Sequence, residues 1–304
     1  MSLTHRLRAH VHRALFEQNE PLTRLALMRI ALGLVTVAYV VLEPYHRFLL
    51  DTRELLYSPS PLFAFVPPLD RTGLWVLEGA TVVAGILFTL GYRTRAAAIA
   101  FSVLFAVWNY YVACFSRPTW VYNTHLNFFL WALCFCPAGA RWSLDARRRS
   151  TAPGSELSER QLASFGMAFM QLYIAVLYFQ AGLSKVLNSG FVWFILGQTP
   201  LIQTAQVGTE FGMQLTRVPE LFTAFNLYAG VLEFGFLPAT LLLGRVPRPM
   251  ALMAILFHVG VGLTMKVSFW HLFLLYPALF LYQALPAKQP APLTEPDARP
   301  ATAA

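Results

Sequence analysis

The sequence predicts an all-α, polytopic integral membrane helical bundle of about eight transmembrane helices with both termini cytoplasmic. Three observations carry this. Hydrophobic residues make up 57% of the 304 and charged residues only 12%, with mean hydropathy +0.52, whereas soluble domains carry about 25% charged residues. So little polar surface cannot cover a soluble fold, and a bilayer is the apolar solvent that suits it. Apolar runs of spanning length recur along the chain, and basic residues gather in short clusters between them. The net charge of +8 is therefore a membrane-orientation signal, and no nucleic-acid partner is expected.

Residues 1–20 form a basic, cytoplasmic N-terminal segment without the apolar core of a signal peptide. The transmembrane domain covers residues 21–285, with candidate spans at 25–43, 73–92, 95–114, 122–138, 163–184, 221–243, 249–265 and 268–285. Residues 286–304 form a Pro- and Ala-rich tail expected to be disordered. With the N-terminus inside, fifteen Lys and Arg fall on inner segments and seven on outer ones, which favours both termini inside. Two outer connections, 44–72 and 185–220, are long, and GFVWFILGQTPLIQT in the second suits an interfacial or re-entrant helix. No stretch outside the spans is long enough to bury a second core, and no internal repeat is apparent, which counts against a transporter. Cys114, Cys134 and Cys136 lie in apolar runs. An odd count makes no disulfide framework. Two residues apart on a helix, Cys134 and Cys136 diverge by about 200°, so they are packing residues and no metal site is expected.

Ionisable residues inside spans are costly, and each is a functional candidate. Topology alone brings several ionisable or polar residues to one depth near the outer face. These are Asn123 and His125 in VYNTHLNFF, Lys185 in LYFQAGLSKVL, and His271 in VSFWHLFLL, with His258 in ILFHVGVG lying deeper. Each has a plainer reading. A lysine at a helix end usually snorkels to headgroups, and a single histidine can hydrogen-bond a carbonyl. Arg29 reads as a snorkelling or structural charge, and Glu78 and Glu233 as partners for a buried base. Ala181 and Gly182 permit close approach of another helix that would wall off the Lys185 amine.

At these residues the chain resembles the HTTM domain, the transmembrane part of vitamin K-dependent γ-glutamyl carboxylases. YNTHLNFFLWALCFCPAGARWSLD resembles the family's Asn-x-His helix opening that closes on a Trp-Ser-(Val/Leu)-Asp turn. YFQAGLSKVLNSGFVW resembles its Tyr-Phe-x-Ala-Gly-x-x-Lys segment. LALMRIALGL, GILFTLGYRTR and FHVGVGLTMKVSFWHLFLL match in order, so the resemblance covers roughly residues 20–285.

The resemblance implies that Lys185 is the base that activates a reduced quinone, vitamin K hydroquinone or menaquinol-like, for reaction with O2. The strong base so formed would take a proton from a glutamate, to which CO2 adds. His125 would stabilise the developing quinol charge, Asn123 would support it, and His258 and His271 would line the quinone pocket. Ser184 stands where the animal enzymes carry a second lysine. The large extramembrane region that presents the peptide in those enzymes is not expected here, so a peptide or protein substrate would have to be supplied by a partner. The partners implied are otherwise membrane lipid and quinone, in a bacterial inner (cytoplasmic) membrane. The alternative is a non-catalytic quinone- or lipid-binding subunit or assembly factor for a redox partner.

Overall fold

The computed structural model describes residues 3–42, 57–58, 68–115, 117–148, 155–267 and 269–282. The tail expected at 286–304 and most of the 44–72 connection lie outside the described residues. The described fold is all-helical: α1 Leu3–Phe16, α2 Pro21–Leu42, α3 Arg71–Leu90, α4 Thr94–Ala113, α5 Arg117–Cys134 and α6 Ser155–Ser189. There follow α7 Val192–Leu196, α8 Gln198–Val207, α9 Glu210–Leu215, α10 Glu220–Leu243, α11 Arg248–Thr264 and α12 Trp270–Phe273, and a π-helix, Pro277–Leu281. Among the described residues, five helices are long and apolar enough to cross a membrane, namely α2, α3, α4, α6 and α10. The shorter apolar helix α11 and the broken helix of residues 270–281 complete the bundle with α5. Many large apolar side chains face outward, among them Val83, Val231 and Leu256. That arrangement costs free energy in water and none in lipid.

The chain enters and leaves its helices at identifiable caps. Asp70 starts α3 by accepting from Gly73 N at 2.7 Å. Gly91, at φ +68°, ends it in the left-handed conformation. Asp145 then caps α4 across the chain, accepting from Arg93 N at 2.9 Å, Thr94 N at 2.6 Å and Thr94 Oγ1 at 2.7 Å. From α2, fully buried Arg29 donates to Ala138 O at 2.6 Å, to Arg141 O and to Trp142 O. The GYRTR and WSLD motifs are thus two halves of one clamp at the end of the α3–α4 hairpin. Arg29 is a structural charge, not a snorkelling one.

The segment at 268–285 departs most from an ideal span. It is a single helical turn, a break at Leu274–Leu275, and then the π-helix. Pro277 explains the break, because it has no N–H to continue the α-helical ladder. Carbonyls near the end of this broken helix must also find other donors in a membrane. Leu279 O receives Arg24 Nη2 at 2.7 Å and also Gln171 Nε2. Arg24, counted in the sequence among the orientation charges, is wholly buried for this purpose. Residues 270–281 touch α2, α5, α6 and α11, and Leu275, Tyr276, Leu279 and Phe280 are fully buried. The broken helix therefore runs through the centre of the bundle.

The connection after α6 forms α7 and α8, joined at Gly197 and laid along the first half of α10. An antiparallel pairing, Thr209 N to Thr264 O at 3.1 Å and Lys266 N to Val207 O at 3.2 Å, ties its far end to α11. The stretch expected to be interfacial or re-entrant is this pair of short helices. The three cysteines are free thiols, and Cys134 Sγ donates to Leu130 O.

Candidate functional site

Besides the Arg24, Arg29 and Gln171 anchors, the described bundle interior holds two clusters of ionisable and polar side chains. Lys185 lies four residues before the end of α6. Its amine donates to Glu233 Oε1 on α10. Glu233 is only 2% exposed. Gly182 makes this possible, since a Cβ there would stand 3.1 Å from Glu233 Cβ and hold the helices apart. Glu233 lies thirteen residues into α10, roughly 20 Å along the axis from that helix's start. Trp193 of α7 roofs the pair, its ring centroid 4.8 Å from Lys185 Nζ. Asn226 Nδ2 holds α7 in place by donating to Trp193 O at 2.6 Å.

Lys185 opens onto a cavity of about 740 Å³ between α7, α8, α10, α11 and Phe269. Its walls are aromatic and apolar, with Trp193, Phe222, Phe225, Tyr228, Phe257 and Phe269 the largest. Gln203, Asn226 and Thr264 are the other polar residues that line it. Phe257 and Phe269 connect this wall to His258, at ring separations of 5.3 and 5.1 Å. Tyr178 OH joins His258 Nε2 at 2.8 Å and Tyr276 OH at 2.8 Å. His258 is thus held by α6 and the broken helix together.

Replacing Tyr178 by Phe deletes the hydroxyl shared by His258 and Tyr276, leaving buried polar atoms without their partner. The expected cost is about 1–3 kcal/mol, read as a lower thermal midpoint in detergent. An unchanged midpoint would show that this network does not contribute.

The second cluster lies between α2, α4, α5 and α12. The rings of His125 and His271 stack with centroids 5.0 Å apart and planes 10° apart. Tyr39 packs on His271 at 5.1 Å, and Asn123 Nδ2 donates to Tyr39 OH at 2.9 Å and to Asn109 Oδ1 at 2.6 Å. All five side chains are buried. His125 Nε2 and Asn123 Oδ1 have no hydrogen-bond partner among the described residues.

The structure therefore joins His125 to His271, places Asn123 in the same cluster, sets His258 beside the cavity, and leaves Lys185 with Glu233 and Trp193. Neither His125 nor His271 lines the Lys185 cavity. Three participants were harder to find by sequence. Asn109 in AVWNYYV carried a signal, being an amide inside an apolar span, and Tyr178 lies seven residues before Lys185, on the same helical face. Tyr39 carried none, because a tyrosine in a membrane helix is ordinary. Among the described residues no group of His, Cys, Asp or Glu is arranged to hold a metal ion.

Comparison with curated proteins and with solved structures gave no match. The HTTM domain model matches residues 18–284, from the turn before α2 to just past the π-helix. Every feature of both clusters falls within that match, and the chain belongs to the HTTM domain family, the membrane-domain family of vitamin K-dependent carboxylase-like proteins.

Proposed function

We propose that this protein binds a reduced quinone, vitamin K hydroquinone or menaquinol-like, in the cavity beside Lys185 and promotes its reaction with O2. The observation that carries the reading is a cation in the wall of a large aromatic cavity, backed by a buried carboxylate, Glu233, behind that wall. At about 740 Å³ it falls within the 300–1,000 Å³ typical of small-molecule sites. A flat quinol head fits between Phe257, Phe269 and Tyr228, with Lys185, Gln203 and Asn226 as hydrogen-bond partners for its oxygens. Val207 and Leu256, both lining the cavity and more than half exposed, leave an apolar side for an isoprenoid tail to reach lipid.

A bound hydroquinone supplies the reducing equivalents for O2, and the protein's task is to accept its proton. An amine acts as a base only when unprotonated. Glu233 provides for this, because in a dry site the ammonium can pass its proton to the carboxylate and both charges disappear. Lys185 is then the base and Glu233 the group that holds the displaced proton. In this reading His258 positions Phe257 and Phe269. His125 and His271, with Asn123 behind them, act from the neighbouring cluster on charge that develops past Phe269. CO2 addition to a glutamate would need a peptide presented by a partner. The same reading has eight crossings, both termini cytoplasmic, in a bacterial inner membrane.

The separation of His125 from Lys185 favours one alternative, a non-catalytic quinone- or lipid-binding subunit or assembly factor. Turnover separates the two. Purified protein with a reduced naphthoquinone and O2 is expected to yield epoxide and water, and Lys185→Ala to lower the rate by about 10²–10⁴-fold. Stoichiometric quinone binding without epoxide would establish the subunit reading, and equal turnover by Lys185→Ala would remove Lys185 from the chemistry.

A further inference from the structure

A second concavity lies at the opposite end of the bundle, where α1 meets the α10–α11 turn and the start of α2. It encloses about 480 Å³ and is lined by Arg13, Arg24 and Arg245 against a single carboxylate, Glu17. That carboxylate is already engaged, 3.2 Å from His12 Nδ1. His10, also on the wall, is fixed by its contact with Leu241 O at 3.0 Å. The three guanidinium groups are graded in depth. Arg13 and Arg245 are exposed at the mouth, whereas Arg24 is fully buried at the base. Its two terminal nitrogens are used by Gln18 and Leu279, and its Nε has no partner among the described residues.

A wall this basic without compensating acids repels itself and attracts an anion. The surroundings say which kind. Leu242 and Leu243 line the same pocket and are 76% and 57% exposed, so the basic wall continues directly into a lipid-facing apolar surface. On the other side α1 presents Leu7 and Val11, exposed at 62% and 45%, on an otherwise basic helix. Arginines beside exposed leucines at a helix end match a phosphate attached to acyl chains. A free anion in water has no use for the leucines. Basic pockets between helices at the cytoplasmic face are recognised sites for anionic headgroups.

We infer that this pocket binds the phosphate of an anionic membrane phospholipid, with Arg24 at its base, Arg13 and Arg245 closing on the headgroup, and acyl chains lying on Leu242 and Leu243. The site lies at the other end of α10 from the Lys185 cavity and is independent of any quinone chemistry. Its role is to seat α1 against the α10–α11 turn, where Ala14 packs against Gly244.

Native mass spectrometry of the purified full chain tests this, using phosphatidylglycerol, phosphatidylcholine of the same acyl composition, and inorganic phosphate. Wild type is expected to prefer phosphatidylglycerol over phosphatidylcholine by about tenfold or more, with the preference falling as salt rises. Arg13→Gln/Arg245→Gln, which changes only exposed side chains, is expected to lose that preference while keeping its thermal midpoint in neutral detergent. Equal retention of the two lipids by wild type, or an undiminished preference in the double variant, overturns the assignment. So does occupancy by inorganic phosphate that displaces phosphatidylglycerol at equal concentration, which would mark a free-anion site.

Discussion

Lys185→Met is expected to destabilise the protein by about 3–5 kcal/mol, whereas Lys185→Met/Glu233→Leu is expected to lie within about 1 kcal/mol of wild type. The asymmetry follows from burial. Glu233 is 2% exposed and its other oxygen, Oε2, has no hydrogen-bond partner among the described residues. Removing the amine leaves the Glu233 carboxyl group in an apolar interior with neither hydration nor a partner, whichever of the two held the proton. Removing both charges and filling the space with apolar atoms removes the penalty along with the attraction. Thermal or denaturant unfolding of wild type, Lys185→Met, Glu233→Leu and the double variant in one detergent measures the cycle. A single variant as stable as wild type would show that the pair does not form. The double variant also separates stability from chemistry. It should fold normally and still be inactive with reduced naphthoquinone if Lys185 is the base.

The second large effect is expected far from any candidate chemistry. Arg29→Met should cost about 3–5 kcal/mol, since charge-assisted hydrogen bonds are worth about 1.5–3 kcal/mol each when broken in the interior. Three carbonyls, of Ala138, Arg141 and Trp142, lose their donor at once. Two residues of this clamp, Arg93 at φ 43° and Trp142 at φ 51°, hold left-handed backbone without being glycine. Such conformations cost about 1–2 kcal/mol apiece, and each is held by the clamp itself. Asp145 accepts from Arg93 N, and Arg29 binds Trp142 O. Arg29 and Asp145 also lie within electrostatic reach of each other. Asp145→Ala should therefore be destabilising by itself. Combined with Arg29→Met it should be less than additive, because the two residues stabilise one turn. Full additivity would mean two independent anchors.

Much of this was legible in the chain, and unevenly so. The helices follow from apolar run length, because a membrane span must satisfy its own backbone and has few other options. The convergence of His125 and His271 follows from counting crossings: two residues near the same ends of antiparallel or adjacent spans share a depth. What counting could not supply is rotation about each helix axis, which decides whom a side chain faces. Lys185 shares a helix with Tyr178, and the crossing count sets it at the depth of His125, yet its partner is Glu233. Gly182 lets α10 approach on that side, and α7 packs over the end of α6 and onto α10. The broken helix was hidden for another reason. Pro277 announces a disturbance, but the donors to the Leu279 carbonyl, Arg24 and Gln171, come from 255 and 108 positions earlier, and only packing brings them there. The WSLD motif was visible as a pattern and silent as to purpose, since a cap that acts across the fold leaves no local signature.

The cavity wall at Val207, Phe225 and Leu256 is exposed on the lipid-facing side of the bundle. A ligand that enters there arrives out of the bilayer, so the relevant concentration is its mole fraction in the lipid. Partitioning does part of the work usually credited to affinity. Occupancy should then track the ratio of ligand to lipid or detergent and stay constant on dilution of the whole dispersion. A half-saturation point expressed in bulk molarity would drift with every change in the amount of micelle.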